Sequence, residues 1–132
     1  MGPLALFNRD NPVRVGGAAL KEITVNFAQG ASVSDIVDIK GYTLVGVVLP
    51  ATLAGDACKI RRSSDGATAG ISVQDSYGAE QSILLNGAAA YRAVPDVVVL
   101  TGVNYVQLYT TSAGAAQIQA TAQTVRLVVK AL

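Results

Sequence analysis

From Leu20 onward, apolar and polar residues alternate along much of the chain with the two-residue period of a β-strand. Ile23, Val25 and Phe27 are separated by polar residues, so this segment has one apolar and one polar face. The same period returns in the last segment, 123–131. Both segments are therefore predicted as strands that cover a core with only one of their faces.

The segment Tyr42–Leu49 has a different pattern, because it is apolar on both faces. A strand of this kind is typical of a position with neighbours on both sides, and Pro50 ends it. We therefore predict that it is the most central strand of the fold.

Turn residues divide the rest of the chain into short segments, and Asp65-Gly66 between two alternating runs indicates a β-hairpin. The run Val97–Leu100 fits a short buried strand or one helical turn, because periodicity alone does not separate the two. The further strands predicted are 33–39, 58–62, 70–74, 81–85, 90–94 and 103–111.

These segments amount to about eight or nine strands with frequent turns and no convincing helix, which is typical of an all-β sandwich or barrel. A chain of 132 residues suits one domain. We predict a single-domain β-sandwich over residues 20–132, with a jelly-roll-like topology, preceded by an extended N-terminal arm over residues 1–19.

Leu4, Leu6 and Phe7 are apolar residues of the arm, on a segment too short to bury them itself. It is either a frayed terminus or an arm that docks on a neighbouring subunit. In the docked case Arg9 and Arg14 are expected to pair with carboxylates of that neighbour. All five residues are candidate partner contacts.

The composition argues against most catalytic chemistry. The chain has no His, and its one Cys, Cys58, is expected to be buried and inert. No spacing of acids or hydroxyls matches a catalytic or metal-binding motif, so we predict no enzyme activity, no metal and no cofactor. Asp35 and Asp38 are expected on opposite faces of a strand.

Charge and hydropathy bound the partners. The net charge of +1 gives no signature of nucleic-acid or anionic-membrane binding, and no apolar run approaches the ~20 residues of a membrane span. The first residues lack a basic leader and a long apolar stretch, so we expect no export through a membrane. Charged residues make up only 14% of the chain, which fits burial in subunit contacts.

Two tyrosines complete the candidate partner contacts. Tyr105 and Tyr109 share one face of the predicted strand 103–111, while Val106 and Leu108 face the core. Tyrosine is amphipathic and suits a subunit interface, although a row of tyrosines also fits a carbohydrate cleft. The doublet Arg61-Arg62 points to opposite faces, so it is not expected to form one basic patch.

One pattern of turn and strand residues extends over about residues 20–131. It is carried by the stretches 23–39, 41–50, 60–66, 91–95 and 102–108. The pattern resembles small virion proteins encoded in the structural-gene blocks of tailed bacteriophages. The chain departs from it at Ala28-Gln29-Gly30, where that family has Asn-Gly, and it lacks the aromatic residue often found after the Asp-Gly turn.

The resemblance implies a non-enzymatic structural protein of the virion, assembled in the host bacterial cytoplasm. We expect it to bind an assembled capsid and stabilise it as a decoration, or cement, protein. Its expected partner is the major capsid protein or another virion protein, and a homotrimer is the favoured oligomer. The alternatives are a neck, tail or fibre accessory subunit, and a carbohydrate-binding module for host attachment.

Overall fold

The structure, a computed structural model, describes residues 20–85, 89–95 and 97–132. In these ranges the chain forms strands and one 3₁₀ turn, at Val98–Leu100. The strands are β1 (Leu20–Phe27), β2 (Val37–Asp38), β3 (Tyr42–Leu49), β4 (Ala57–Ser63), β5 (Ile71–Ser72), β6 (Ser82–Leu84), β7 (Ala90–Ala93), β8 (Tyr105–Ser112), β9 (Ala115–Ala116) and β10 (Gln123–Ala131).

The strands form two antiparallel sheets that pack against each other. Sheet A has the order β1-β10-β3-β7. Sheet B has the order β2-β8-β4-β5, with β6 also beside β4 and β9 beside β8. The predicted all-β sandwich is therefore confirmed.

Strand pairing follows the pattern of a ribbon folded back on itself. The first half of the chain pairs with the second half in reverse order: β1 with β10, β2 with β8, β3 with β7, and β4 with β5 and β6. Successive pairs of the ribbon alternate between the two sheets. The jelly-roll topology itself stays a prediction.

The core lies between the sheets and is filled by the inward residues of the alternating strands. Val25 and Phe27 of β1 are fully buried, as the alternation predicts. Cys58 is also buried, and burial raises the pKa of its thiol to about 12. The other large side chains that are almost wholly excluded from solvent include Ile39, Leu44, Ile60, Leu100, Leu108 and Leu127.

The predicted central strand, β3, has neighbours on both sides in sheet A, a position it shares with β10. The pairing of β3 with β10 shifts its register once. Gly46 lies opposite Val128, but the next residue of β10, Val129, lies opposite Leu44, so one residue of β3 has no partner. The extra residue between them is a β-bulge, which shifts the phase of the strand. Leu44 and Val47 consequently both reach the core, although they are three positions apart.

Two local predictions differ from the structure, and the structure decides between the two alternatives for a third segment. The predicted strand 33–39 is mostly irregular, with one bridge at Val33 and only Val37–Asp38 as a strand. The side chain of Ser34 accepts a hydrogen bond from the N–H of Leu108, so a hydroxyl takes the place of regular strand pairing. Ala115–Ala116 forms a short strand that was not predicted. The run Val97–Leu100 contains the 3₁₀ turn rather than a strand.

A buried glutamine fixes the loops at one end of the sandwich. Gln119 is fully buried; its amide donates to the C=O of Ala54 at 3.0 Å and to the hydroxyl of Thr110 at 3.0 Å. Its side-chain oxygen accepts the N–H of Ala54 at 2.9 Å, and its backbone bonds Gly30 and Ala31. Gln119 thereby holds one loop beside β8 through its side chain and a second loop through its backbone.

Candidate contact surfaces

The outward face of β8 carries Tyr105, Gln107 and Tyr109, as the alternation predicts. Val106 and Leu108 face the core and are fully buried. None of the three outward residues is freely exposed, because both tyrosines are half-buried and Gln107 is only 5% exposed. The two predicted contact residues are thus brought together, but on a face that the protein itself partly covers.

Tyr109 is covered by a cation. The guanidinium carbon of Arg61 lies 3.9 Å from the centroid of the Tyr109 ring, a close cation–π contact between neighbouring strands. The Nε atom of Arg61 is buried and has no hydrogen-bond partner. Arg61 is therefore committed to packing on the ring, while Arg62 is exposed, so the doublet does not form one basic patch.

Tyr105 is held from two sides. The ammonium of Lys40 donates a hydrogen bond to the Tyr105 hydroxyl at 2.9 Å and lies 3.7 Å from the Asp38 carboxylate. The hydrogen bond with Tyr105 and then the charge of Asp38 raise the pKa of Lys40. On the other side Gly66 packs on the ring so closely that a Cβ there would lie 2.8 Å from it.

Gln107 joins the segments on either side of β8. Its side-chain oxygen accepts the N–H of Gly70 at 2.9 Å, and its amide donates to the C=O of Ser34 at 2.9 Å. Gly70 and Ser34 are both buried. This buried side chain holds loop 64–70 and the segment around Ser34 onto the outer face of sheet B.

The loop 64–70 is itself organised by one carboxylate. Asp65 accepts the N–H groups of Thr68 at 2.7 Å and Ala67 at 2.9 Å, and the hydroxyl of Thr68 at 2.8 Å. These hydrogen bonds lower the pKa of Asp65 to about 2. The predicted hairpin is confirmed, since β4 pairs with β5, but its connection is longer than the tight turn that Asp-Gly indicates.

Sheet A ends in an open edge at β1. Asn26 turns its backbone outward, where its N–H donates to the Asp35 carboxylate at 2.8 Å and its C=O accepts the Asp35 N–H at 2.9 Å. By the two-residue period, Leu20, Glu22 and Thr24 also direct N–H and C=O groups outward. Among the described residues these groups have no partner. Sequence analysis did not identify this edge, because one sequence does not give strand order.

A shallow groove of about 420 Å³ opens where β1 ends. Asn26, Asp35 and Thr124 contribute polar groups to it, and Thr124 donates a hydrogen bond to the Asn26 side chain at 2.9 Å. Asp35 and Asp38 have separate partners, Asn26 and Lys40, so they do not act as a pair. The groove thus presents an amide and one carboxylate to solvent.

Large apolar side chains are distributed over the outside of the sandwich. Tyr91 of β7 is 53% exposed and its ring lies over Gly46 of β3, where any side chain would collide with it. The exposed set comprises Leu20, Ile71, Tyr77, Leu84, Tyr91, Val98, Ile118 and Leu132. These side chains are not part of the buried core between the sheets.

Two further ion pairs lie on the surface, separate from each other. Lys59 lies 2.6 Å from Glu80, which lowers the pKa of Glu80, and Arg126 lies 2.9 Å from Glu22. Within the described ranges, no three His, Cys, Asp or Glu side chains are grouped as metal ligands. The same ranges contain no helix that is long and apolar enough to cross a membrane.

The other predicted contact residues, Leu4, Leu6, Phe7, Arg9 and Arg14, lie outside the described residues. Comparisons of the chain with protein-family models, with curated proteins and with solved structures found no match. The sequence pattern and the geometry of the two surfaces above are therefore the observations that bear on function.

Proposed function

We propose that the chain is a non-enzymatic structural protein of a phage virion that binds the assembled capsid and stabilises it. The observation that supports this proposal most is a sandwich with its own buried core that still exposes large apolar side chains. Burial of such side chains against a partner is the main favourable contribution to most protein–protein association. The expected partner is the major capsid protein or another virion protein.

Exposed apolar side chains flank β4 on both faces of sheet B. Leu84 of β6 and Ile71 of β5 are both strongly exposed, and both strands pair with β4. Their partners on β4, Ala57 and Arg62, are five positions apart, so the two side chains point to opposite faces of the sheet. Tyr77, in the connection between β5 and β6, is 95% exposed. Full burial of such a side chain contributes about 1.5–3 kcal/mol, so a few of them support a stable contact on a lattice.

The ribbon-like strand pairing adds support from the fold. We propose that it is a jelly roll, in which the pairs of a long antiparallel ribbon alternate between two sheets. Double-sheet jelly rolls occur in viral capsid domains and also in lectins. The fold alone does not determine function, so it supports the proposal only together with the resemblance in sequence.

Carbohydrate binding for host attachment is the second candidate. It is favoured by the groove at the end of β1, where Asn26 and Asp35 place an amide beside a carboxylate. Such neighbouring donors and acceptors suit the hydroxyl groups of a sugar. The half-buried Tyr105 and Tyr109 argue against a stacking platform on β8.

Quantitative mass spectrometry of purified virions from the phage that encodes the chain tests the proposal. Hundreds of copies per particle are expected for a decoration protein, whereas a few copies would assign it to the neck, tail or fibres. Absence from the particle would contradict a virion function. Saturable binding to a glycan array that is lost in Asp35→Ala, but kept in Asp38→Ala, would establish the carbohydrate alternative.

A further inference from the structure

The edge of β1 is suited to pair with another strand. β1 lies at the end of sheet A and has eight residues, twice the length of β7 at the opposite edge. Its outward N–H and C=O groups at Leu20, Glu22 and Thr24 have no partner among the described residues. An edge of this kind accepts an extended segment through main-chain hydrogen bonds.

The side chains beside this edge indicate what such a segment must contain. Ile23, which points inward from β1, is only half-buried, whereas Val25 and Phe27 are fully buried. An added strand with apolar residues two positions apart would extend the inner layer and cover Ile23. Leu4 and Leu6 have that spacing.

We propose that residues 4–7 of one copy of the chain add as a strand to the β1 edge of a second copy. The arm ends at Leu20, the first residue of the same edge, so each copy carries both a donor and an acceptor. Donation in one direction around a closed set of copies gives a ring of heterologous contacts. This inference does not depend on the assignment to a virion.

The length of the arm is sufficient for donation between copies. The twelve residues 8–19 reach about 40 Å when extended, at 3.3–3.6 Å per residue. A domain of this size has a radius of gyration of only about 13 Å, so the arm reaches across its own domain to a neighbour. Charge also fits, since the exposed Asp35 carboxylate lies at the end of the edge and the arm carries two arginines and one aspartate.

A tight hairpin of the arm onto its own β1 has the wrong residues. With a four-residue turn at 16–19, Arg14 would lie beside Lys21, and Asp10 would lie beside the buried Val25. Shifting the register by one residue places Pro12, which has no N–H, opposite Glu22 or Thr24. Donation to a second copy avoids these conflicts because it leaves the register free.

Complementation between two full-length variants tests the proposal. Thr24→Pro removes an outward N–H and blocks the edge without removing a hydrogen bond to β10, since proline is tolerated at such edge positions. The double variant Leu4→Asp with Leu6→Asp keeps the edge but disables the arm. Thr24→Val, which retains the N–H, is the matched control.

Native mass spectrometry at tens of micromolar should find a ring for the natural chain and for Thr24→Val, and a monomer for each blocked variant alone. An equimolar mixture of the two blocked variants should give a 1:1 heterodimer, because one supplies the arm and the other the edge. If Thr24→Pro loses its β-sheet circular dichroism, Glu22→Pro takes its place in the same mixture.

Three results would overturn the proposal. A natural chain that stays monomeric would exclude donation between copies. This holds also if the arm of the monomer pairs with its own β1 edge. Blocked variants that still self-associate would assign the contact to another surface. A mixture without heterodimer would show that the arm and the β1 edge do not bind each other.

Discussion

The outer face of β8 and the outer edge of β1 are both surfaces on which a partner could dock, but the fold uses them differently. Arg61, Lys40 and loop 64–70 already cover the face of β8, and Gln107 is bonded on both sides. Beyond Asn26, the edge of β1 has unpaired backbone groups among the described residues. The comparison shows that a contact surface is identified by which groups remain unsatisfied, rather than by the residue types alone.

The largest difference between the two regions should appear at Gln107. Replacing it with leucine leaves the buried N–H of Gly70 and C=O of Ser34 without partners, at about 1–3 kcal/mol each. We expect Gln107→Leu to lower the free energy of unfolding by about 2–6 kcal/mol in urea titrations. Thr24→Val on β1 should change it by less than about 0.5 kcal/mol. Equal effects of the two substitutions would contradict the comparison.

Tyr109 should have a smaller, still structural effect. Tyr109→Ala removes the half-buried ring under Arg61, and we expect a loss of about 1.5–3 kcal/mol from lost burial and cation–π contact. Tyr109→Phe keeps the ring and should stay within about 0.5 kcal/mol of the natural protein. Thermal and urea unfolding of both variants checks this. An alanine variant of unchanged stability that bound particles less well would assign Tyr109 to a contact surface.

Acid should loosen loop 64–70, which covers the β8 face. The folded pKa of Asp65 is about 2, below its ordinary value of 3.8, so its carboxylate stabilises the fold above pH 4. That stabilisation is lost as the pH falls from about 4 to about 2. Compared with the natural chain, Asp65→Asn should melt at a lower temperature at pH 7 and lose less between pH 4 and pH 2. If the melting temperatures of the natural chain and of Asp65→Asn fall equally between pH 4 and pH 2, the Asp65 carboxylate does not stabilise the fold.

The smallest effect should come from the exposed ion pair beside the β1 edge. Glu22 and Arg126 are 2.9 Å apart, with about half of each side chain exposed. Surface pairs of this kind contribute about 0–1 kcal/mol and are screened by salt. Glu22→Gln should therefore change stability by under about 0.5 kcal/mol, with no change at high salt. A decrease of more than 1 kcal/mol in the free energy of unfolding would contradict the comparison, because this edge would then stabilise the fold as the β8 face does.

Much of the sandwich was predictable, because its strands alternate in step with burial. The structure has β1, β3 and β10 at the segments that the apolar pattern predicts: the alternating segment from Leu20, the apolar segment Tyr42–Leu49, and the last segment, 123–131. The segment around Ser34 was not predictable, since its side-chain hydroxyl replaces a backbone C=O as the acceptor for the N–H of Leu108. Side-chain hydrogen bonds between distant segments leave no periodic signal.

The candidate surfaces were predictable only in part. Alternation correctly placed Tyr105 and Tyr109 on one outward face, but it gave no sign that Arg61 and Gly66 cover them. The buried Gln107 and Gln119 look like ordinary surface residues in the sequence, because their partners are remote loops. The open edge depends on strand order, which pairs β1 with a segment about a hundred positions away.

Residue-resolved amide hydrogen exchange tests the contrast between the two regions most directly. In the natural chain at tens of micromolar, two of the outward N–H groups on β1, those of Glu22 and Thr24 when Leu6 lies opposite Ile23, should be protected by a second copy. The double variant Leu4→Asp with Leu6→Asp should lose that protection, while the amides of β8 exchange equally slowly in both proteins. Fast exchange at β1 in both proteins, or a change confined to β8, would contradict the account.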